Sequence, residues 1–189
     1  VILFSRSSVN LAGVQTLPTF EQQLAIGKVA ESAIANWLKR MGYSILPVYE
    51  KALGEFKGPQ LFTPNQSLVA PDMFVFRGKA SLWVEAKHKD AFTWHRITQR
   101  WVTGIDLRHY IDYCEVDDRS PFPVWLMFLH RGGQAKDSPA NSPTGLFAGA
   151  LKHLRMHENH RHSGWGNSGM VYWSVDTLQK IATLDEVMR

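Results

Sequence analysis

The segment APDMFVFRGKASLWVEAKHKD, residues 70 to 90, places two acids and a lysine on runs that otherwise read as buried strands: Asp72, Glu85 and Lys87. An unpaired charge in apolar surroundings costs on the order of several kcal/mol, so groups of this kind must pair or hold a ligand. Two carboxylates side by side suit a hard divalent cation, Mg2+ or Mn2+, which prefers oxygen ligands. The backbone carbonyl of Ala86 offers a further oxygen. An ammonium beside them can orient or deprotonate a water, or stabilise charge growing on a phosphate. Together these are the groups of metal-dependent phosphodiester hydrolysis. The plainer alternative is a cross-strand ion pair at a sheet end, worth less than about 1 kcal/mol if exposed.

The three residues can act together only if their segments fold onto one another. DMFVFR and SLWVEAKH are rich in β-branched and aromatic residues and are joined by a short turn containing Gly78 and Lys79, which predicts a hairpin. With Arg77 opposite Leu82, Asp72 faces Lys87, and Glu85, two residues back, shares their face. A slip of one residue would break this arrangement.

Pro71-Asp72, twelve residues, then Glu85-Ala86-Lys87 resembles the PD-(D/E)XK motif of the restriction-endonuclease-like nucleases. The resemblance extends to Gly27 followed four residues later by Glu31 on a preceding helix. It implies Asp72 and Glu85 as metal ligands, Lys87 as the catalytic lysine, and Glu31 as an auxiliary acid acting on metal directly or through water. It also implies an α/β fold with an α-β-β-β-α-β core, here over about residues 20 to 131, whose mixed central sheet is flanked by helices. The expected activity is endonucleolytic cleavage of DNA with Mg2+ or Mn2+. RNA remains open as a substrate, a homodimer is one arrangement the resemblance allows, and a non-catalytic nucleic-acid-binding module on the same fold is the alternative. The Gln-x-x-x-Tyr signature of some exonuclease-like members is not found: four residues after Gln99 stands Thr103, with Tyr110 and Tyr113 further on.

The surrounding elements follow from periodicity. Leu24, Ile26, Val29, Ala30, Ala33, Ile34, Trp37, Leu38 and Met41 form a helical stripe, with Pro18 or Thr19 at its start and Gly42 at its stop. Residues 43–51 read as a strand and 52–69 as a surface loop. A long helix is expected over 93–116, with Gly104 weakening its middle. PVWLMFLH, residues 123–130, is a continuous apolar run suited to a strand buried on both faces. Beyond it, 132–169 reads as a loop and helix insertion, with the helix over 144–159. A terminal strand and a helix capped by Asp176 follow over 170–189. The whole chain is expected to be one domain of 189 residues.

A hydrophobic content of 44% supports a packed core and argues against disorder as the main theme. The single cysteine, Cys114, excludes an internal disulfide and fits a reducing compartment, so a cytoplasmic or nucleoid-associated protein is expected. Apolar runs are too short to span a membrane. The net charge of +4 leans toward a polyanionic partner. Lys89, His95, Arg96 and Arg100 lie just after the motif, and Arg155 and Arg161 lie near the C-terminal loops; all six are candidates for phosphate contact. His153 and His157, at i and i+4, have the spacing of a metal pair, although a solvated basic segment is the simpler reading.

Overall fold

The computed structural model describes residues 20–48, 59–164 and 168–189, and in the first helix the side chains from Lys28 onward. The expected helix start at Pro18 or Thr19, the end of the strand expected over 43–51, and much of the loop expected over 52–69 lie outside the described residues.

The first helix, α1 (Phe20–Arg40), closes with Lys39 and Arg40 in its last turn, where cations meet the negative end of the helix dipole. Gly42, at φ +84°, then turns the chain. Its N–H donates to the Lys39 carbonyl and that of Tyr43 to the Leu38 carbonyl, a glycine-terminated cap. Ala30, Ile34, Trp37 and Leu38 form its buried stripe.

The chain continues through strands β1 (Ser44–Pro47), β2 (Gln60–Phe62), β3 (Ser67–Val69), β4 (Met73–Arg77) and β5 (Ala80–Lys89). Next come β6 (Thr93–His95), β7 (Arg100–Asp106), helix α2 (Leu107–Arg119), β8 (Val124–His130), β9 (Gly145–Ala150) and α3 (Leu151–Met156). The last elements are β10 (His160–His162), β11 (Met170–Ser174), a 3-10 turn (Val175–Thr177), β12 (Gln179–Ala182) and α4 (Leu184–Met188).

Six strands form the main sheet in the order β1-β4-β5-β8-β9-β12. The pairing of β5 with β8 is parallel and the others are antiparallel, so the sheet is mixed. Helix α1 covers one face over Met73, Val75, Val84, Ala86, Met127 and Leu129. Tyr110, Tyr113 and Val116 of α2 cover the other, over Val124, Leu126 and Phe128. The continuous apolar run of β8 is thus buried on both faces, as expected of a central parallel strand. The core order α1-β1-β4-β5-α2-β8 is the α-β-β-β-α-β arrangement.

Several expectations are corrected. No single helix runs over 93–116: the segment forms β6, β7 and α2, and the helix begins only at Leu107, where the Asp106 side chain accepts from the Arg108 N–H at 3.0 Å. Val102, Thr103, Gly104 and Ile105 are all buried in β7, where the strand packs between neighbours. Gly104, expected to weaken a helix, instead makes room for the ring of Tyr172 on β11. The helix expected over 144–159 is split into β9 and α3, because β9 is needed to pair with β8. The main sheet therefore extends beyond residue 131 and draws β9 from the expected insertion and β12 from the expected terminal helix. Residues 160–162, expected as loop, pair with β11, and the 52–69 loop contains the β2-β3 hairpin.

Candidate active site

The β4-β5 hairpin turns through Gly78 and Lys79, with Gly78 at φ +59°. Glycine at the first central position is the type II′ pattern, which pairs the flanking residues directly. Arg77 therefore opposes Ala80 and Met73 opposes Val84, rather than Arg77 opposing Leu82. Continued by one residue, this register sets Asp72 against Glu85 instead of Lys87. The register differs from expectation by two residues, an even number, so every side chain keeps its face.

Asp72 Oδ2 accepts from the Ala86 N–H at 2.8 Å, which ties the start of β4 to the middle of β5. Glu85 is only 1% exposed, and Lys87, 29% exposed, forms an ion pair with Glu85 Oε1. Among the described residues, neither Glu85 oxygen accepts a hydrogen bond of good geometry; the Lys87 ammonium and the Tyr113 hydroxyl are its polar neighbours. The Ala86 side chain is buried against α1, so only its backbone is available to the site.

The electrostatics follow from this crowding. Burial holds the Asp72 carboxyl well above the usual range; the charge of Glu85 adds to this, as does that of Glu31, against the opposing pull of Lys87 and the Ala86 N–H. For Lys87, burial acts downward, but the Glu85 and Asp72 carboxylates outweigh it and raise the ammonium's pKa. Lys87 is therefore a cation here and not a free base. Glu31, on α1, is near enough to act on both Asp72 and Lys87.

Two residues that sequence reasoning passes over border the site from α2. Tyr113 is 1% exposed, and its hydroxyl is kept protonated by burial and then by the charges of Glu85 and Asp72. His109, one turn earlier, has its pKa lowered by burial and then by Lys87. Its ring centroid lies 6.2 Å from that of Tyr113. The available signal is a His-x-x-x-Tyr spacing on the helix after the motif, obscured by the helical periodicity that sets in at residue 93.

Of the phosphate candidates, Lys89 shares the β5 face of Glu85 and Lys87. Burial and the charge of Lys87 bring its pKa down to about 8. Beside it on β8 stands His130, fully buried and stacked on Phe92 at 3.6 Å, with both ring nitrogens unpartnered among the described residues. Burial, and then Lys89, lower the His130 pKa to about 3, so it is neutral. The remaining candidates lie outside the triad. His95 and Arg100 flank the turn of the β6-β7 hairpin and Arg96 lies in it. Arg100 is paired with Asp176, Arg155 with Asp118, and Arg161 with Glu158. His153 and His157 stack at 4.2 Å, but His157 Nδ1 is engaged with the His153 carbonyl at 2.9 Å.

Among the described residues, no three His, Cys, Asp or Glu side chains converge as a ready-made cation cage. The donor set at Asp72 and Glu85 nonetheless suits a divalent cation, since two carboxylates share a crowded site with one ammonium and the charge of Glu85 helps hold the Asp72 pKa up.

The core order agrees with the α-β-β-β-α-β arrangement that the sequence resemblance implies, and the hairpin brings Asp72, Glu85 and Lys87 to one face. No family model and no curated protein matches the sequence. Among solved structures, the chain is similar to the Holliday junction resolvase Hjc of Archaeoglobus fulgidus, at 8% identity and a TM-score of 0.47, covering 85% of this chain and 99% of that one. It is also similar to D212, a nuclease from a fusselovirus, at 13% identity and a TM-score of 0.38, covering 93% and 94%. Both likenesses are remote. Among the described residues, no helix is long and apolar enough to cross a membrane.

Proposed function

We propose that the chain is a metal-dependent DNA endonuclease. The observation that carries this reading is Glu85: a carboxylate 1% exposed, without hydrogen-bond donors of good geometry among the described residues, beside a second carboxylate and an ammonium. A structural ion pair needs one acid for Lys87, whereas this site supplies Asp72 and Glu85, with Glu31 nearby. The surplus negative charge is what a divalent cation would offset.

Asp72, Glu85 and the Ala86 carbonyl would hold Mg2+ or Mn2+, with Glu31 as auxiliary acid. Such a cation, when bound, supplies charge stabilisation at the phosphate and lowers the pKa of a coordinated water. Lys87, protonated and held by its ion pair with Glu85, would place a positive charge where the phosphate gains negative charge in the transition state. Lys89 adds a second cation on the same face for the backbone of the nucleic acid. Asp72 stays fixed through its bond to Ala86, so the carboxylates need little reorganisation when a phosphate arrives.

Supercoiled plasmid incubated with Mg2+, Mn2+ or EDTA tests the assignment. Metal-dependent nicking by the wild type, reduced about a hundredfold or more in Asp72→Ala and in Lys87→Ala, is the expected result. Plasmid bound but never cut, with any of these metals, would favour the non-catalytic binding module.

A further inference from the structure

The β6-β7 hairpin is inserted between the strand that carries Glu85 and Lys87 and the helix that carries His109 and Tyr113. Three pairs zip it, Thr93 with Val102, Trp94 with Trp101 and His95 with Arg100, leaving Arg96, Ile97, Thr98 and Gln99 as its tip. Gln99 sits at φ +51° to close the turn.

The hairpin is braced well beyond what a connection needs. His95 Nδ1 lies 2.8 Å from Thr98 Oγ1. The His95 ring stacks on His160 of β10 at 3.9 Å and 9°, and His160 stacks on Tyr172 of β11 at 4.5 Å and 6°, a continuous three-ring stack. Trp94 packs edge-on against Trp101 at 5.2 Å. The Trp94 backbone N–H donates to the buried Ser138 hydroxyl at 2.9 Å, and Arg100 is held by Asp176. The tip itself points the other way in chemistry. Ile97 is 89% exposed, more than any other large hydrophobic among the described residues. Arg96 beside it is exposed and forms no ion pair among the described residues.

A single exposed apolar side chain is ordinary on a surface. Here it stands at the apex of a stiffened hairpin, next to an exposed arginine, on a chain of net charge +4. An apolar wedge flanked by a cation suits insertion between stacked bases, with the arginine on the adjacent phosphate. We propose that the β6-β7 tip is a DNA wedge, in which Ile97 enters a break in base stacking while Arg96 holds the backbone. Insertion costs least where stacking is already interrupted, so the favoured partner is branched or distorted DNA rather than continuous duplex. The proposal rests on the reading of the chain as one that acts on DNA, and it names the form of DNA.

Binding in EDTA separates the wedge from catalysis. A four-way junction and a linear duplex of the same sequences, each with 2-aminopurine at one site, are titrated with wild type, Ile97→Ser, Ile97→Leu and Arg96→Gln. Expected are preferential binding of the junction with a fluorescence rise at its centre, and loss of that rise in Ile97→Ser. Ile97→Ser should also bind the junction about tenfold more weakly, with duplex binding within about twofold of wild type. Ile97→Leu should retain both signals, and Arg96→Gln should weaken both DNAs and lower the salt dependence. Equal binding of the two DNAs by wild type, or an Ile97→Ser variant with unchanged affinity and fluorescence, overturns the wedge. Failure to cut both the plasmid and the four-way junction with Mg2+ or Mn2+ would overturn the nuclease reading alone, since no step of this test requires cutting.

Discussion

The Ala86 N–H donates to Asp72 Oδ2 at 2.8 Å, and through this bond the residue just before β4 is fixed against the two that matter most on β5, Glu85 and Lys87. The consequence is an acid pair held close, with one ammonium to share between them.

That arrangement predicts how Asp72 responds to pH. Its folded pKa is raised by burial and then by Glu85, so the folded chain holds this proton more tightly than the unfolded chain does. The associated stability is fully present below the ordinary carboxylate pKa of about 3.9 and is lost as pH rises through the raised folded value. Asp72→Asn should therefore raise the melting temperature of the metal-free protein at neutral pH, by about 2 °C or more. The same variant should lose the stabilisation that Mg2+ or Mn2+ gives the wild type. Thermal unfolding with and without metal checks both signs.

Metal binding by the wild type should release a proton from Asp72. Calorimetric titration in two buffers of different ionisation enthalpy should show release that grows as pH falls and vanishes in Asp72→Asn. Proton release unchanged by the substitution would place the coupled group elsewhere.

Lys87 has a double role, so its loss should show in folding as well as in cutting. Lys87→Met leaves Glu85 buried without its counter-charge, which should cost about 3 kcal/mol in the metal-free state. Part of that loss should return with Mg2+, because the cation replaces the missing positive charge. Denaturant melts with and without Mg2+ measure the difference.

Lys89 titrates near pH 8, well below a free lysine. A lowered lysine pKa means the unfolded chain binds the proton more tightly, so stability rises with pH between about 8 and the unfolded value of about 10.4. Lys89→Met should flatten that rise and stabilise the protein at neutral pH, while weakening DNA binding. Stability measured from pH 7 to 10 decides it.

Gly104 is the position at which a single carbon should matter most for packing. A Cβ there would overlap the Val171 carbonyl oxygen and lie 2.7 Å from Cδ1 of Tyr172. Gly104→Ala should cost about 3 kcal/mol and lower the melting temperature by roughly 6–10 °C. It should also loosen the His95–His160–Tyr172 stack, visible as a change in the imidazole resonances.

The motif is legible in the sequence because its signals are local. Alternation along two short runs, a glycine turn between them and the types of Asp72, Glu85 and Lys87 together point to a hairpin with its charges on one face. A register displaced by two residues does no harm to that inference, since it preserves the face of every strand residue. Helix α1 is equally plain, because its apolar stripe and its glycine stop are written within one segment.

The stretch from 93 to 116 shows where local signals fail. Trp94, Ile97, Trp101 and Ile105 recur at spacings of three and four, which imitates one face of a helix. In the structure Trp94 and Trp101 face each other across a hairpin and Ile97 stands in solvent at its tip. What selects strand over helix is pairing with β11, some seventy residues away in sequence, and Gly104 contributes to it only because Tyr172 lies above it. The same cause hides His109 and Tyr113, and the places of β9 and β12 in the main sheet. Residue type and short-range alternation determine which groups can do chemistry and which face they share. Only long-range strand pairing decides what is packed over that face, because the hydrogen bonds and buried area that stabilise it belong to partners distant along the chain.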